Sequence, residues 1–178
     1  MLIGVSGSHC SGKSSLIDEF CERHPEFSRV AEPYEELDEV WSEISTEVLL
    51  DQLEFQIEQL RSMLGDNVIV ERTPLDFVAY LQALNDLGRG SFDVARCFDA
   101  AMDATRRFDL IAFLPTDGAS IYVPVEEDRE LRSTVNDRLR DLVIESDVGV
   151  LTVELIGPTR QRVEMLENVL KQSPVVPR

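Results

Sequence analysis

A chain of 178 residues is long enough for one domain, or for one with a small appendage, and a 43% hydrophobic share is too high for a mainly disordered chain. Its 34 acidic residues against 17 Lys and Arg leave a net charge of −17, which excludes a binder of bulk nucleic acid or of anionic membrane surfaces. No uncharged apolar run nears the roughly 18 residues of a membrane span, no basic leader precedes Leu2, and Cys10, Cys21 and Cys97 lack metal-ligand spacing; a cytoplasmic protein with reduced thiols is expected.

Leu2 to Ser6 is a short apolar run that reads as a buried strand. It enters Gly7-Ser8-His9-Cys10-Ser11-Gly12-Lys13-Ser14-Ser15, followed by a helix to about Arg23 that stops near Pro25. Ser28 to Ala31 is a second strand, ending at Glu32-Pro33, and the acidic stretch from Glu35 to Glu43 reads as a loop with helical turns. Leu49, Leu53, Ile57, Leu60 and Leu64 recur at helical spacing until Gly65-Asp66-Asn67, and the strand Val68-Ile69-Val70 then stops at Glu71. Pro74 opens a helix carrying Phe77, Tyr80, Leu81 and Leu84, with Gly88 past its end. A helix from about Ser91 carries Val94, Phe98, Ala101 and Thr105, and Leu110 to Leu114 is the next strand. Thr116 to Val125 is a loop, Glu126 to Glu145 is helical through Leu131, Val135, Leu139 and Leu142, and Val148 to Ile156 is the last strand. Pro158 opens a final helix, and 173–178 is a frayed tail. Apolar strands alternating with helices mean an α/β fold of about five parallel strands covered on both faces, one domain over 1–172.

Gly7 to Ser14 fits G-x-x-x-x-G-K-[ST] between a strand and a helix, the context in which the pattern is meaningful. Glycines let successive N–H groups turn towards phosphate oxygens, and the helix start adds its positive dipole end. Lys13, one of only two lysines, reaches the β- and γ-phosphates, and the Ser14 hydroxyl ligates Mg²⁺. Gly7 through Ser15 are therefore the expected ATP-binding residues. Lys13 is expected to be an exposed loop cation that adds little to the core, and Cys10, beside a helix start and Lys13, is a candidate for a lowered thiol pKa. A guanine-reading N/T-K-x-D motif is absent. An acid closing the apolar strand 68–70 has few structural uses, so Glu71 is assigned to Mg²⁺ with Ser14.

Glu32-Pro33, Phe55-Gln56 and Glu71-Arg72-Thr73 resemble the P-loop nucleoside and nucleotide kinases, deoxynucleoside kinases in particular. The string from Glu71 to Tyr80, together with 108–115 and 127–132, is more similar to small bacterial AAA-labelled proteins related to the kinase domain of nicotinamide-nucleotide regulators. Trp41 stands nine residues after Glu32, farther than in deoxynucleoside kinases. The resemblance implies the P-loop fold with a small lid near 116–132. It also implies ATP- and Mg²⁺-dependent phosphoryl transfer to a small acceptor, a nucleoside or nucleotide by preference. The rival reading is a non-kinase switch that binds or hydrolyses ATP to change its hold on a protein partner. A homodimer is left open.

The resemblance makes Glu32 the base for the acceptor hydroxyl, with Asp76 the next candidate. Arg72 either contacts phosphate or orients Glu32. Arg129 and Arg132, three apart on one helix face, either belong to the lid and stabilise charge in transfer or pair with the acids around them. Gln56 either reads a base edge or is a surface side chain, and Asp76 and Tyr80, four apart, either line the acceptor pocket or, for Tyr80, join the core.

Overall fold

A computed structural model of the chain describes residues 1–32, 44–63, 67–116, 123–125 and 127–172. The acidic stretch of 35–43 with Trp41, Leu64 and the Gly65-Asp66 stop, most of the expected 116–125 loop, Glu126 and the tail of 173–178 lie outside these residues.

Five strands form one parallel sheet in the order β2-β3-β1-β4-β5: β1 (Leu2–Ser6), β2 (Ser28–Val30), β3 (Val68–Glu71), β4 (Leu110–Phe113) and β5 (Leu151–Glu154). Side chains alternate across it as a period of two requires. Ile3, Val5, Ile69, Leu110 and Ala112 pack on one face with α1 (Lys13–Arg23), where Leu16, Ile17 and Phe20 are buried. Val68, Val70, Ile111 and Phe113 pack on the other with α2 (Thr46–Ser62), α3 (Pro74–Asp86), α4 (Ala95–Thr105) and α5 (Arg129–Leu139). The last helix, α6 (Thr159–Gln172), returns to the α1 face through Val163 and Leu166. Among the described residues no helix is long and apolar enough to cross a membrane.

Local chemistry sets the ends of these elements. Ser45 caps α2 by accepting from the Val48 amide at 3.3 Å. Pro74 takes the first position of α3, and Gly88 follows that helix at φ 68°, a conformation glycine adopts without strain. Three elements differ from the sequence expectation. α4 begins at Ala95 rather than near Ser91, because Asn85 clasps the Phe92 backbone through both amide atoms, at 2.7 and 3.1 Å. The helix expected over 126–145 becomes α5 and then a π-helical turn over Arg140–Glu145, in which the adjacent Leu142 and Val143 are both buried. β5 spans Leu151–Glu154 rather than 148–156, since Gly149 takes φ 71° before it and Ile156 beyond it is half exposed.

The register aligns the carboxyl ends of the central strands, with Val5 opposite Glu71 and Ser6 opposite Phe113. β1 lies between β3 and β4, so the chain leaving β1 enters the crevice where connections diverge to the two sides of the sheet.

Gly4 in β1 shows how tightly this centre is packed: a Cβ there would lie 2.7 Å from Thr73 Cγ2 and 3.1 Å from the Phe108 ring. Gly4→Ala should therefore destabilise the fold by about 1–3 kcal/mol, read as a lower midpoint in urea unfolding at unchanged slope.

Candidate functional site

The phosphate loop leaves β1 at Gly7, where an added Cβ would sit 2.5 Å from Ser11 Oγ and 2.9 Å from Leu114 O, so only glycine fits. Cys10 and Gly12 have positive φ, 50° and 88°, and Gly12 caps α1. The loop is fastened from outside by side chains. Gly7 N–H donates to Asp76 Oδ1 at 3.0 Å and His9 N–H to the Tyr80 hydroxyl at 3.0 Å, so two residues one turn apart on α3 take these amides. Lys13 Nζ donates to Ser8 O at 3.2 Å; Arg132 donates to His9 O at 2.8 Å and to Cys10 O at 3.1 Å; Arg162 donates to Ser11 O at 2.6 Å. The carbonyls of four successive residues are thus held by cations, while the amides of Cys10 to Ser14 donate to no described residue. That is a cradle of donors with its acceptors turned away, suited to an anion.

Two carboxylates flank the cradle, each delivered by a strand end. Glu71, at the end of β3, accepts from Ser14 Oγ at 2.7 Å and pairs with Arg29 at 3.1 Å, which in turn reaches Asp18 at 2.7 Å. Glu32, just past β2, is buried between Arg72 Nε at 2.9 Å and Lys13 Nζ at 3.4 Å. Arg72 sits at φ 69°, with its N–H donating to Val5 O at 2.9 Å and its guanidinium 5.4 Å above the Tyr80 ring. Gln56, fully buried on α2, donates to Arg72 O at 3.0 Å, and its Oε1 has no hydrogen-bond partner among the described residues.

Burial and charge set the protonation of these groups. Burial pushes the Glu32 carboxyl up, but Arg72 and Lys13 more than reverse this and hold it well below the usual carboxylate range. Glu71 moves the opposite way: burial raises it, Lys13 opposes the rise and Glu32 adds to it. Of two neighbouring carboxylates, the one bracketed by cations stays ionised and the other binds its proton more tightly. Burial, then the Arg72 and Lys13 charges, lower His9 to about 2, so the ring is neutral and its Nδ1 can accept from the Tyr80 hydroxyl 2.7 Å away.

The structure brings together Lys13, Ser14, Glu32, Glu71 and Arg72, with Arg132 against the loop from α5. Arg72 contacts both Glu32, at 2.9 Å, and the loop carbonyl of Gly7, at 3.5 Å. Asp76 has a fixed local task, since besides Gly7 it accepts from Thr73 N–H at 2.9 Å and Thr73 Oγ1 at 2.8 Å, capping α3. Arg129 stands apart from the cluster, exposed and without an ion pair among the described residues, while Asp128 and Glu130 pair with Arg89. Two expectations are corrected. Lys13 is buried and ion-paired rather than exposed, because the loop closes over it. The Cys10 thiol is pushed up rather than down, by burial and by Glu127 beside it. Sequence reading missed Arg162 and Arg29; Arg162 did carry a signal, an arginine four residues before Leu166 on the buried stripe of α6.

The AAA domain family model matches residues 2–162, and the chain belongs to that family. No curated protein sequence matches it. Among solved structures, deoxyadenosine kinase from M. mycoides with the products dCMP and dCDP is similar at TM-score 0.71 and 17% identity, over 97% of this chain and 99% of that one. Thymidylate kinase from Candida albicans is similar at TM-score 0.70 and 17% identity, over 96% and 91% of the two chains. Thymidylate kinase from Ehrlichia chaffeensis follows at TM-score 0.65 and 16% identity, over 96% and 98%. The fold is that of the P-loop nucleoside and nucleotide kinases.

Two predictions come from this geometry. Because Arg132 holds loop carbonyls and Arg129 does not, Arg132→Ala should weaken ATP–Mg²⁺ binding several-fold or more in calorimetry, while Arg129→Ala leaves it unchanged. The second concerns pH. Glu71 binds its proton more tightly when folded, so its contribution to stability is fully present below the unfolded carboxyl pKa of about 4.3 and is lost as pH rises through the folded value. Glu71→Gln should therefore gain stability relative to the parent as pH rises above about 4 in metal-free urea unfolding; a difference that stays constant with pH would contradict the assignment.

Proposed function

We propose that this AAA-family chain transfers the terminal phosphoryl group of ATP, with Mg²⁺, to a hydroxyl or phosphate oxygen of a nucleoside or nucleotide. In the transfer the acceptor oxygen–phosphorus bond forms, the bond to the ADP oxygen breaks, and a hydroxyl acceptor's proton leaves to a base. The carrying observation is Glu32: an ionised carboxylate, buried between Arg72 and Lys13, at the carboxyl ends of the strands beside the phosphate loop. A switch that only holds nucleotide has no need of such a group beside the donor lysine. The named acceptors of the similar kinases, a nucleoside and a nucleotide, support the same class.

Each residue's role follows from its place. Lys13 and the amides of Cys10 to Ser14 take the donor phosphates. Ser14 Oγ and Glu71 Oε1, 2.7 Å apart and both hard oxygens, fit Mg²⁺, which prefers one or two protein oxygens alongside phosphate and water. When bound, the ion would neutralise phosphate charge. Arg72 fixes the Glu32 carboxylate against the loop, and that carboxylate accepts the acceptor proton. A carboxylate with so low a pKa is a weak base, so its task suits a loose transition state in which the proton leaves late and position matters most. Arg132, rooted on the loop, supplies charge on the lid side. Gln56, with an unmet acceptor beside Arg72, supports hydrogen bonding to the acceptor's base edge. The three cysteines are unpaired, which supports a cytoplasmic setting.

Glu32→Gln decides the matter. It keeps the hydrogen bond to Arg72 but cannot accept a proton. In a labelled-ATP transfer screen over nucleosides and nucleotides, its rate should fall about 10²- to 10⁴-fold, with ATP affinity little changed. Transfer at the parental rate would remove Glu32 as the base, and an absence of any acceptor for the parent would favour the switch.

A further inference from the structure

Two arginines are buried almost completely, Arg72 and Arg162, and their surroundings differ in kind. Arg72 has Glu32 at 2.9 Å and Asp76 at 3.9 Å to balance it. Arg162 pairs with no acid among the described residues, in a chain with twice as many acids as bases, and burial alone perturbs it. Among the described residues its guanidinium meets only carbonyl oxygens, Ser11 O at 2.6 Å and Pro115 O at 3.3 Å, and its Nε has no hydrogen-bond partner. It also lies in the first turn of α6, where the helix dipole disfavours a cation. Burial, missing counter-charge and dipole all oppose this residue. An arginine kept there needs an anion to balance it.

The position of Arg162 indicates which anion. Ser11 belongs to the phosphate loop, and in a trans peptide the C=O and the following N–H point in opposite directions. Holding Ser11 O towards α6 therefore turns the Gly12 amide to the cradle side, among the amides that donate to no described residue. Resting on the phosphoryl-transfer reading above, we propose that Arg162 is a positioning residue of the phosphate loop whose counter-charge is the bound polyphosphate. It orients the Ser11–Gly12 peptide and keeps an unbalanced positive charge one peptide away from the cradle.

Two variants of the full chain separate charge from shape. Arg162→Lys keeps the cation, and Arg162→Gln keeps a donor for one carbonyl without it. Calorimetry with inorganic tripolyphosphate and Mg²⁺ should show the Gln variant weakened about tenfold or more and the Lys variant within about threefold of the parent. Without ligand the Gln variant should melt no lower than the parent, because removing an unbalanced buried charge offsets the lost hydrogen bond. A merely structural arginine would give the reverse, a lower melting temperature in both variants with tripolyphosphate affinity unchanged. The proposal is overturned if the Gln variant binds tripolyphosphate like the parent, or if the two variants weaken it equally. A parent that binds no tripolyphosphate overturns it too. Failure of the transfer reading shows elsewhere, as a parent that binds tripolyphosphate but phosphorylates no acceptor.

Discussion

The buried charge of Arg72 is the point on which the site depends. Its backbone N–H reaches Val5 of the neighbouring strand, its carbonyl accepts from Gln56 of α2, its Nε fixes Glu32, and its guanidinium lies over the Tyr80 ring of α3. Glu32 supplies the nearest counter-charge to this deep cation, and removing one member of such a buried pair costs about 3–5 kcal/mol. The left-handed backbone at Arg72 follows from the same requirement, since the residue must turn back to β1 while its side chain runs beneath the loop. One buried ion pair thus couples the second and third strands to the phosphate loop.

Around that pair the protein separates its charges. The chain carries a net −17, yet Lys13, Arg72, Arg132 and Arg162 gather against one loop. All four bond to loop carbonyls, Arg72 at Gly7, Lys13 at Ser8, Arg132 at His9 and Cys10, and Arg162 at Ser11. Each such contact satisfies an acceptor and commits the peptide's amide to the opposite side. The site is therefore electropositive by construction within an acidic protein, which favours a multiply charged small anion over an extended polyanion that the rest of the surface would repel.

α3 is the mechanical support of this arrangement. Asp76 and Tyr80, one turn apart, take the Gly7 and His9 amides, and Asp76 also closes its own helix start through Thr73. Folding α3 and shaping the loop are consequently one event. The α5 helix adds Arg132, and it is stapled to α3 by the Arg138–Asp86 ion pair at 2.7 Å, so the Arg132 side of the loop rests on the same support.

The sequence by itself determined the α/β class, the strand and helix order and the phosphate loop, because these depend on local quantities: apolar periodicity, glycine and proline placement, and a motif within nine residues. It also singled out Glu71 and Arg72, since an acid and an arginine closing an apolar strand stand out against their neighbours, whereas Glu32 was marked by the resemblance to deoxynucleoside kinases. Tertiary structure decided the rest. Arg129 and Arg132 are equivalent by spacing, and only the docking of α5 beside a loop 123 residues away makes Arg132 a clamp and leaves Arg129 in solvent. Arg162 reaches Ser11 across 151 residues, and Lys13 is ion-paired because Glu32 arrives from another strand. Hydrogen bonds to backbone carbonyls leave no mark on the identity of the accepting residue, and burial of a charge depends on which strand ends lie side by side. Both are properties of the assembled sheet.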